Sequence, residues 1–360
     1  MALKFYQKTK TSLLVVLFFI GHFVNAQDVL PMRGLAIASP DKENLDRFVT
    51  FINEELPPRK INTLVLRVDY NFQYKSHPEL AKKNGLSQDD VNKIVLACKK
   101  NGIEIVPQIN LLGHQSWASE LGPLLKVYPE FDETPTVKIP EKYEWPNNDG
   151  LYCKSYCPLH PEVHKVVFDL VDEITTAFQA NAFHAGMDEV FYIGQEECPR
   201  CNGIDKAELF AGELTKIRNH LAQTNKRLWI WGDRLLDGKT TGIGMWEASM
   251  NNTHRAINMI PKDIMICDWH YEKAEPTAAY FALKGFDVAT SSWNKGTVAK
   301  KQLQILEDFK QNTSKETAQH IKGMLHTSWS SVASFLVRFY APFDENKIDD
   351  ATCFKMLFGK

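Results

Sequence analysis

The sequence has little net charge, no dinucleotide-binding glycine motif and no apolar run of membrane-spanning length. Its 42 Lys and Arg residues nearly balance 44 Asp and Glu, for a formal net charge of −2. Nucleic-acid binding through phosphates needs a basic surface, so no nucleic-acid partner is expected. The absence of G-x-G-x-x-G after the first predicted strand excludes a dinucleotide fold. Internal repeats and Pro- or Ser-rich linkers are also lacking, which indicates one domain.

The first 26 residues have the pattern of a secretory signal peptide. Three lysines precede the apolar run Leu13–Val24, which is followed by the small residue Ala26. This run is too short to span a bilayer. We therefore expect residues 1–26 to be removed on export. The mature domain, residues 27–360, would then be periplasmic or extracellular, with no membrane span of its own.

Short β-rich segments alternate with amphipathic helical segments along the rest of the chain, which is typical of parallel βα units. The predicted strands are Gly34–Ala38, Asn62–Asp69, Ile103–Asn110, Ala182–Met187, Arg227–Trp231, Ile264–Asp268, Phe286–Ser291 and Lys322–Thr327. The predicted helices are Glu43–Glu55, Asp89–Lys100, Pro161–Gln179, Lys206–Thr224, Pro276–Lys284 and Thr297–Gln311. Eight such units predict an α/β fold, a TIM-type (β/α)₈ barrel.

The longest irregular stretch, Leu111–His160, follows the third predicted strand and is rich in aromatic residues. A loop of this length in a compact domain is usually functional. Loops that follow barrel strands lie on the catalytic face. We therefore expect it to form a wall of a binding site, rather than a surface insertion that packs on its own aromatics.

Two adjacent acids, Asp188 and Glu189, end the fourth predicted strand. Strand side chains alternate, so His184, Gly186 and Asp188 share one parity. If that parity faces the barrel axis, Gly186 leaves open space beneath the carboxylates. Two acids crowded in a partly dry pocket should raise the pKa of one of them, as a general acid requires.

The segment His184-x-Gly186-x-Asp188-Glu189 resembles the H-x-G-G-D-E signature of glycoside hydrolase family 20, the β-N-acetylhexosaminidases. Three further segments resemble the first, third and fifth strands of that family in the same order: Met32–Gly34, Ile105–His114 and Trp229–Asp233. The resemblance implies an enzyme that removes β-linked N-acetylglucosamine or N-acetylgalactosamine from a glycan.

The resemblance also implies the roles of the two acids. Glu189 would protonate the leaving oxygen and then activate water. The 2-acetamido oxygen of the substrate would attack the anomeric carbon, which is the substrate-assisted exception to the two-carboxylate scheme. Asp188 would accept the acetamido N–H and stabilise the oxazolinium-like intermediate. The β configuration would be retained, and no cofactor would take part in catalysis.

Ten further residues are candidates for substrate binding. Indole faces suit the C–H groups of a hexosamine, and tryptophans lie near the ends of several predicted strands. Asp233 either binds sugar, braces Glu189, or forms a charge pair with Arg234 on the loop. Tyr271 is a candidate replacement for the tyrosine with which the family binds the acetamide. The resemblance implies that Arg33 binds sugar hydroxyls. The complete set is Arg33, His114, His184, Trp231, Asp233, Trp246, Trp269, Tyr271, Trp293 and Trp329.

Several positions depart from the family pattern. Met187 replaces the second glycine of the signature, Ser291–Asn294 replaces a Tyr-x-Asp segment, and Trp329 is not followed by the usual glutamate. A divergent branch without the family's small N-terminal accessory domain is therefore expected. Two alternatives remain open, namely a barrel glycosidase for another sugar and an inactive glycan-binding barrel. Retention of both acids of the signature favours an enzyme.

Four of the seven cysteines form two close pairs, Cys153-x₃-Cys157 and Cys198-x₂-Cys201. In an exported protein such pairs indicate disulfides or one structural Zn²⁺ site, and the sequence leaves both open. A catalytic zinc is disfavoured because no H-E-x-x-H motif accompanies them. The remaining three lie in apolar segments and are predicted to be buried: Cys98, Cys267 and Cys353.

Overall fold

The computed structural model describes residues 30–144 and 153–359, so the predicted signal peptide lies outside the described residues. Eight parallel strands form a closed barrel in which each strand pairs with its sequence neighbours and the last pairs with the first. They are β1 Met32–Ala38, β2 Thr63–Arg67, β3 Glu104–Leu111, β4 Ala182–Gly186, β5 Arg227–Trp231, β6 Met265–Trp269, β7 Asp287–Ser292 and β8 Ile321–Thr327. The predicted barrel is confirmed.

The predicted helices are present, with bounds within two residues of those expected. The α-helices of the described residues are α1 Leu45–Glu54, α2 Gln88–Lys100, α3 Pro123–Val127, α4 Val163–Ala177, α5 Lys206–Ala222, α6 Gly238–Thr241, α7 Thr277–Leu283, α8 Gly296–Gln311, α9 Lys315–His320, α10 Val332–Tyr340 and α11 Asp350–Phe358. None of the helices in residues 30–144 and 153–359 combines the length and apolarity needed to cross a bilayer.

Local sequence signals explain where two of these helices begin and end. Ser87 caps α2 through a capping box with Asp90, which satisfies backbone N–H groups at the helix start. Gly102, just after α2, and Gly285, just after α7, have φ values of 65° and 81°. Glycine adopts this left-handed conformation without a Cβ clash, so it stops a helix.

Alternation along the strands separates an inner barrel core from an outer layer. The inner cluster contains every second residue of several strands, including Met32 and Ala36 of β1 and Trp229 and Trp231 of β5. A larger cluster fills the space between the strands and the helices. Near β1, α10 and α11 contribute to this outer layer through a group of packed rings: Phe51, Phe335, Phe339 and Phe354.

The long segment after β3 is partly regular. It contains a two-stranded ribbon, Ser116–Trp117 with Glu120–Leu121, and then α3. Further along, the Lys154 ammonium is buried 2.5 Å from an Asp132 oxygen and donates to two backbone carbonyls. These polar contacts hold together a segment that lacks strand or helix periodicity. Its aromatic residues Trp145 and Tyr152 lie outside the described residues.

Candidate active site

The backbone turns sharply where β4 ends. Gly186, Met187 and Glu189 all have positive φ values, of 67°, 64° and 49°. Non-glycine residues in this region carry strain, which is concentrated at functional sites. The open space expected beneath Gly186 is absent, because a Cβ there would lie 2.2 Å from the Asn110 side-chain oxygen. Glycine is required by both the turn and this close approach.

The turn brings both acids to one histidine at the rim of the barrel. His114 Nε2 lies 3.1 Å from an Asp188 oxygen and 3.4 Å from a Glu189 oxygen. Asp188 is buried and Glu189 is half-buried, so water screens their charges weakly. The predicted meeting of the two acids at the C-terminal face of the barrel is therefore present in the structure.

The surroundings separate the pKa values of the two acids. Burial raises the pKa of Glu189 to about 7, with a smaller contribution from the charge of Asp188. Burial acts in the same direction on Asp188, but the charge and hydrogen bond of His114 outweigh it and lower the pKa of Asp188. One carboxyl is thus held protonated near neutral pH beside one that is ionised. This is the electrostatic arrangement of an acid and its anionic partner.

His114 also contacts Cys153, which its spacing in the sequence had grouped with Cys157. Cys153 Sγ lies 3.4 Å from His114 Nδ1 and 3.6 Å from a Glu189 oxygen. Burial acts to lower the pKa of His114, but the nearby Cys153 and Asp188 raise it well above its usual value. A cationic His114 between the acids explains why Asp188 remains ionised although it is buried.

Asp233 braces the turn that carries the acids. One of its carboxylate oxygens accepts the backbone N–H of Glu189 at 2.9 Å and the Arg234 guanidinium at 2.6 Å. The other accepts the indole N–H of Trp269 at 3.3 Å. Arg234 in turn donates to backbone carbonyls of the loop after β5. Asp237, four residues further on, instead caps α6 and lies 3.8 Å from His254, so it does not brace the turn.

Replacing Asp233 with Asn is expected to lower the free energy of unfolding by about 3 kcal/mol, because it leaves the buried Arg234 charge without its partner. The side chains of Asp233 and Arg234 are 0% and 1% exposed. Chemical denaturation should measure the loss. The matched control is Asp237→Asn, which keeps a capping side chain and should leave the transition in place. Equal stability of the two variants would contradict the brace.

Five of the six predicted aromatic residues form one connected group above and inside the barrel: Trp231, Trp269, Tyr271, Trp293 and Trp329. Trp231 is fully buried and packs on His184 at 4.5 Å, so it is barrel core. Tyr271 lies between Trp269 and Trp293, with ring centroids 5.0 and 5.4 Å away. Trp329 donates its indole N–H to the Tyr271 hydroxyl at 3.0 Å. The half-buried rings available to a ligand are Tyr271, Trp293 and Trp329.

His184 supports the strand end from inside the barrel. Its Nδ1 accepts the backbone N–H of Gly186 at 3.0 Å. Burial lowers the pKa of His184 to about 3, so its ring is neutral. Trp246 lies on the loop after β5, where its ring meets Phe191 edge-on at 5.2 Å. The structure shows both residues as packing partners of the turn that carries the acids and of its neighbouring loop.

Arg33 is not part of this site, which corrects the expectation drawn from the resemblance. It lies near the N-terminal end of β1, one residue after the inward-facing Met32, so it points away from the barrel axis. Its guanidinium packs on the ring of Phe358 and donates to the carbonyl of Arg59. Arg33 thus points away from the barrel axis and lies at the end of the barrel opposite to the two acids, so it cannot contact a sugar bound beside them.

Arg67 and Asp69, at the opposite end of β2, are candidate site residues that the sequence analysis missed. Arg67 shares the parity of the inward-facing Val65, and its guanidinium lies over Trp329, 4.6 Å from the ring centre. Asp69 is half-buried and accepts the Asn110 N–H at 2.9 Å. The sequence did contain a signal for both residues, because charged side chains at the C-terminal end of a barrel strand commonly belong to the active site.

Two clefts lie at this end of β2 and share Asp69 in their walls. Arg67 and Asp69 line a cleft of about 590 Å³. Asp69 also lines a neighbouring cleft of about 550 Å³, together with Asn110 and His114. Asp188 and Glu189 do not line either cleft, and His114 connects the second cleft to them.

The cysteines do not form the two expected pairs. All seven are free and buried in the structure. Cys153 lies beside His114, and Cys157 instead lies 3.4 Å from both Cys198 and Cys201, sulfur to sulfur. The four cysteines expected around one metal are thus not brought together, because Cys153 lies apart from the other three. The packing role of Cys98, Cys267 and Cys353 agrees with their burial.

The sequence model of the glycosyl hydrolase family 20 catalytic domain matches residues 62–336, which is most of the chain. This chain belongs to glycosyl hydrolase family 20. The match includes both acids and seven of the eight barrel strands, from β2 to β8. The resemblance noted in the signature segment is thereby confirmed at the level of the family.

Curated relatives agree with the family assignment. The β-hexosaminidase of Vibrio furnissii is 24% identical over 214 residues, covering 58% of this chain and 30% of that protein. The β-hexosaminidase of Porphyromonas gingivalis is 26% identical over 216 residues, covering 56% of this chain and 26% of that protein. The chain thus spans less than a third of the length of these two relatives.

Solved structures agree with the fold. The chitobiase of Flavobacterium johnsoniae superposes with a TM-score of 0.62 at 19% identity, covering 91% of this chain and 50% of that one. An exo-β-N-acetylglucosaminidase of Vibrio harveyi, solved with N-acetylglucosamine, gives a TM-score of 0.60 at 16% identity, covering 92% and 55%. At these identities the likeness supports the barrel architecture alone.

Proposed function

We propose that this protein is an exo-acting β-N-acetylhexosaminidase that works by the retaining, substrate-assisted route. The observation that carries the proposal is the adjacent pair of carboxyl groups with separated pKa values at the barrel rim. Glu189, with its pKa raised to about 7, can donate a proton to the glycosidic oxygen. Asp188, with its pKa lowered, can remain an anion beside it.

The adjacency of the acids suits a substrate that supplies its own nucleophile. In two-carboxylate retaining enzymes the groups face each other across the sugar, about 5 Å apart. Neighbouring residues that share contact with one His114 nitrogen lie on one side of a ligand instead. Asp188 can then accept the acetamido N–H and orient the acetamido oxygen toward the anomeric carbon. Its charge stabilises the cationic ring that forms.

Groups around the acids supply the remaining contacts of the proposed sugar site. The half-buried rings of Tyr271, Trp293 and Trp329 offer apolar faces for the pyranose. Arg67 can donate to sugar hydroxyls, because its Nε is buried without a hydrogen-bond partner among the described residues. It would replace the arginine expected on β1. Asp69, two residues after Arg67, acts on it through its charge and offers a carboxylate acceptor for further hydroxyls.

The direct test of this function is hydrolysis of aryl β-glycosides that differ at the 2-position. We expect turnover of the N-acetylglucosamine or N-acetylgalactosamine derivative and none of the matching glucoside, because a 2-hydroxyl cannot form the cyclic intermediate. Proton NMR of the first product should show the β anomer. Equal cleavage of the glucoside would refute substrate assistance, and binding of N-acetylhexosamine without cleavage would indicate a glycan-binding barrel.

The pH dependence should follow the proton on Glu189. The raised pKa keeps its carboxyl protonated below about pH 7, and the acid form is lost as the pH rises through that value. For a substrate with a poor leaving group, kcat/KM is expected to fall about tenfold per pH unit above this point. An activated aryl leaving group needs less protonation and should show a shallower fall. A profile that is flat through pH 7 for both would exclude Glu189 as the acid.

We propose further that the protein is exported, on the strength of the lysine-rich start and apolar run in residues 1–26. The measurement is mass spectrometry of the protein recovered from cell fractions. A periplasmic or extracellular form that begins at Gln27 is the expected result. A cytosolic form that retains the complete N-terminal segment would contradict export.

A further inference from the structure

Three cysteines and one glutamate form a buried cluster close to the catalytic turn. Cys157 Sγ lies 3.4 Å from the sulfurs of Cys198 and Cys201. An oxygen of Glu133 completes the cluster, in which the four candidate ligand atoms all lie within 4.8 Å of one another. Each of these side chains is buried, with an exposure of 1% or less. The cluster is separate from the acids described above.

The sulfur separations fit a shared metal ion better than a disulfide. Two thiolates on a tetrahedral Zn²⁺, each about 2.3 Å from the ion, are about 3.8 Å apart. A disulfide brings its two sulfurs to about 2.05 Å. The observed 3.4 Å is near the first value, and all three thiols are free.

Glu133 has a carboxylate oxygen that needs a partner. One oxygen accepts the backbone N–H of Gln195 at 3.2 Å. The other, Oε2, is buried and accepts no well-aligned hydrogen bond among the described residues, although the thiols of Cys198 and Cys201 and the Gly194 N–H lie near the carboxyl. Such weak or poorly aligned donors offset only part of the cost of burying a carboxylate, and the three thiol sulfurs supply no positive charge. A bound cation removes this cost.

Two Cys-Pro turns present the sulfurs to the cluster. Cys157 and Cys198 are each followed by proline. In both turns the backbone N–H two residues later, from Leu159 or Arg200, donates toward the cysteine sulfur. Such N–H groups orient metal-bound thiolates and stabilise their charge. The cluster thus has both ligands and a supporting shell.

We propose that one structural Zn²⁺ ion is held by four side chains: Glu133, Cys157, Cys198 and Cys201. Thiolate ligands select zinc over calcium or magnesium. Four protein ligands close the coordination sphere, which is typical of a structural rather than a catalytic zinc. Relative to the four-cysteine set expected from sequence, Glu133 takes the place of Cys153.

The ion joins two loops that both reach the active site. Glu133 and Cys157 belong to the segment after β3, which also carries His114 and Cys153. The other two ligands, Cys198 and Cys201, follow the catalytic turn after β4. Zinc binding therefore stabilises the wall of the catalytic site, and loss of zinc lowers the melting temperature.

Metal analysis and cobalt substitution of the full chain test the site without an activity assay. The wild type should contain about one zinc per chain. Replacement by Co²⁺ should give thiolate charge-transfer bands and the visible bands of tetrahedral cobalt. After denaturation with a chelator and no reductant, all seven cysteines should react as thiols. Chelation should lower the melting temperature of the folded protein.

Matched variants identify the ligands. Cys201→Ser should lose zinc and the cobalt spectrum, and Glu133→Cys should keep zinc and intensify the charge-transfer bands through a fourth thiolate. Cys153→Ser is the control, because that thiol lies beside His114 and should leave the metal content unchanged. The Glu133→Cys and Cys153→Ser variants decide the ligand set even if Cys201→Ser does not fold.

Three results would overturn the assignment. A metal-free wild type that shows no cobalt bands after reconstitution would exclude the site. Five reactive thiols rather than seven would show that two cysteines of the cluster form a disulfide. Loss of zinc in Cys153→Ser, with no added charge transfer in Glu133→Cys, would show that the fourth ligand is Cys153. None of these results depends on the proposed glycosidase activity.

Discussion

Glu189→Gln is expected to lower kcat/KM for a substrate with an alkyl or sugar leaving group by about 10²- to 10⁴-fold, the usual contribution of general acid–base catalysis. The glutamine side chain is similar in size but cannot donate the proton that burial holds on Glu189 near neutral pH. Substrates with activated aryl leaving groups should lose much less, because the bond breaks without protonation. Steady-state kinetics on the two substrate types measures the contrast.

Two further measurements separate a chemical role of Glu189 from a structural one. The variant should unfold at the wild-type temperature, since the brace from Asp233 is to the backbone N–H rather than to the side chain. Azide, which needs no general base, should accelerate turnover of the activated substrate by the variant. Equal losses for both leaving groups, with no response to azide, would remove Glu189 from the acid/base role.

Asp188→Asn is expected to lower kcat by about 10²- to 10³-fold for N-acetylhexosaminides, whatever the leaving group. The amide keeps the shape of the carboxylate but lacks the charge that stabilises the cationic intermediate. It can also present an N–H where the acetamido N–H must donate. Because the lost interaction belongs to ring closure by the acetamide, activated and poor substrates should be affected alike.

The control for this variant is Asp237→Asn, which removes a carboxylate charge at the surface outside the site. It should retain wild-type kcat. Lowered kcat with an unchanged melting temperature would place the Asp188 effect in the chemistry. If Asp188→Asn slowed poor substrates much more than activated ones, Asp188 would be acting in proton transfer, and the roles of the two acids would need to be exchanged.

The alternation of strand and helix patterns along the sequence was sufficient to predict the barrel. Eight β-rich segments separated by helical ones predicted the strands of the closed sheet, because parallel strands joined by helices have few alternative arrangements. Gly102 and Gly285 mark the ends of α2 and α7 in the sequence as well as in the structure. Two of the helices missed, α10 and α11, follow the last strand, beyond the alternation of strand and helix that carried the prediction.

The face of the strand on which an arginine lies decides whether it can reach the site. Motif similarity alone selected the wrong arginine. Arg33 matched the family's first strand in sequence, but it follows an inward-facing residue by one position and lies at the wrong end of the barrel. Arg67 follows an inward-facing residue by two positions at the right end. A shift of one residue changes the face of a strand, and the absolute register becomes visible only when the strands are paired.

The sequence by itself determined the barrel, the family and the adjacent acids Asp188 and Glu189, because each depends on periodicity or on neighbours along the chain. Only the tertiary structure decided that Glu133 joins three cysteines while Cys153 joins His114. It also decided that Asp233 braces the turn that carries the two acids and that Asn110 fills the space at Gly186. These contacts connect different βα units. They could not be predicted from the sequence, because the loops that make them have no repeating pattern of residues.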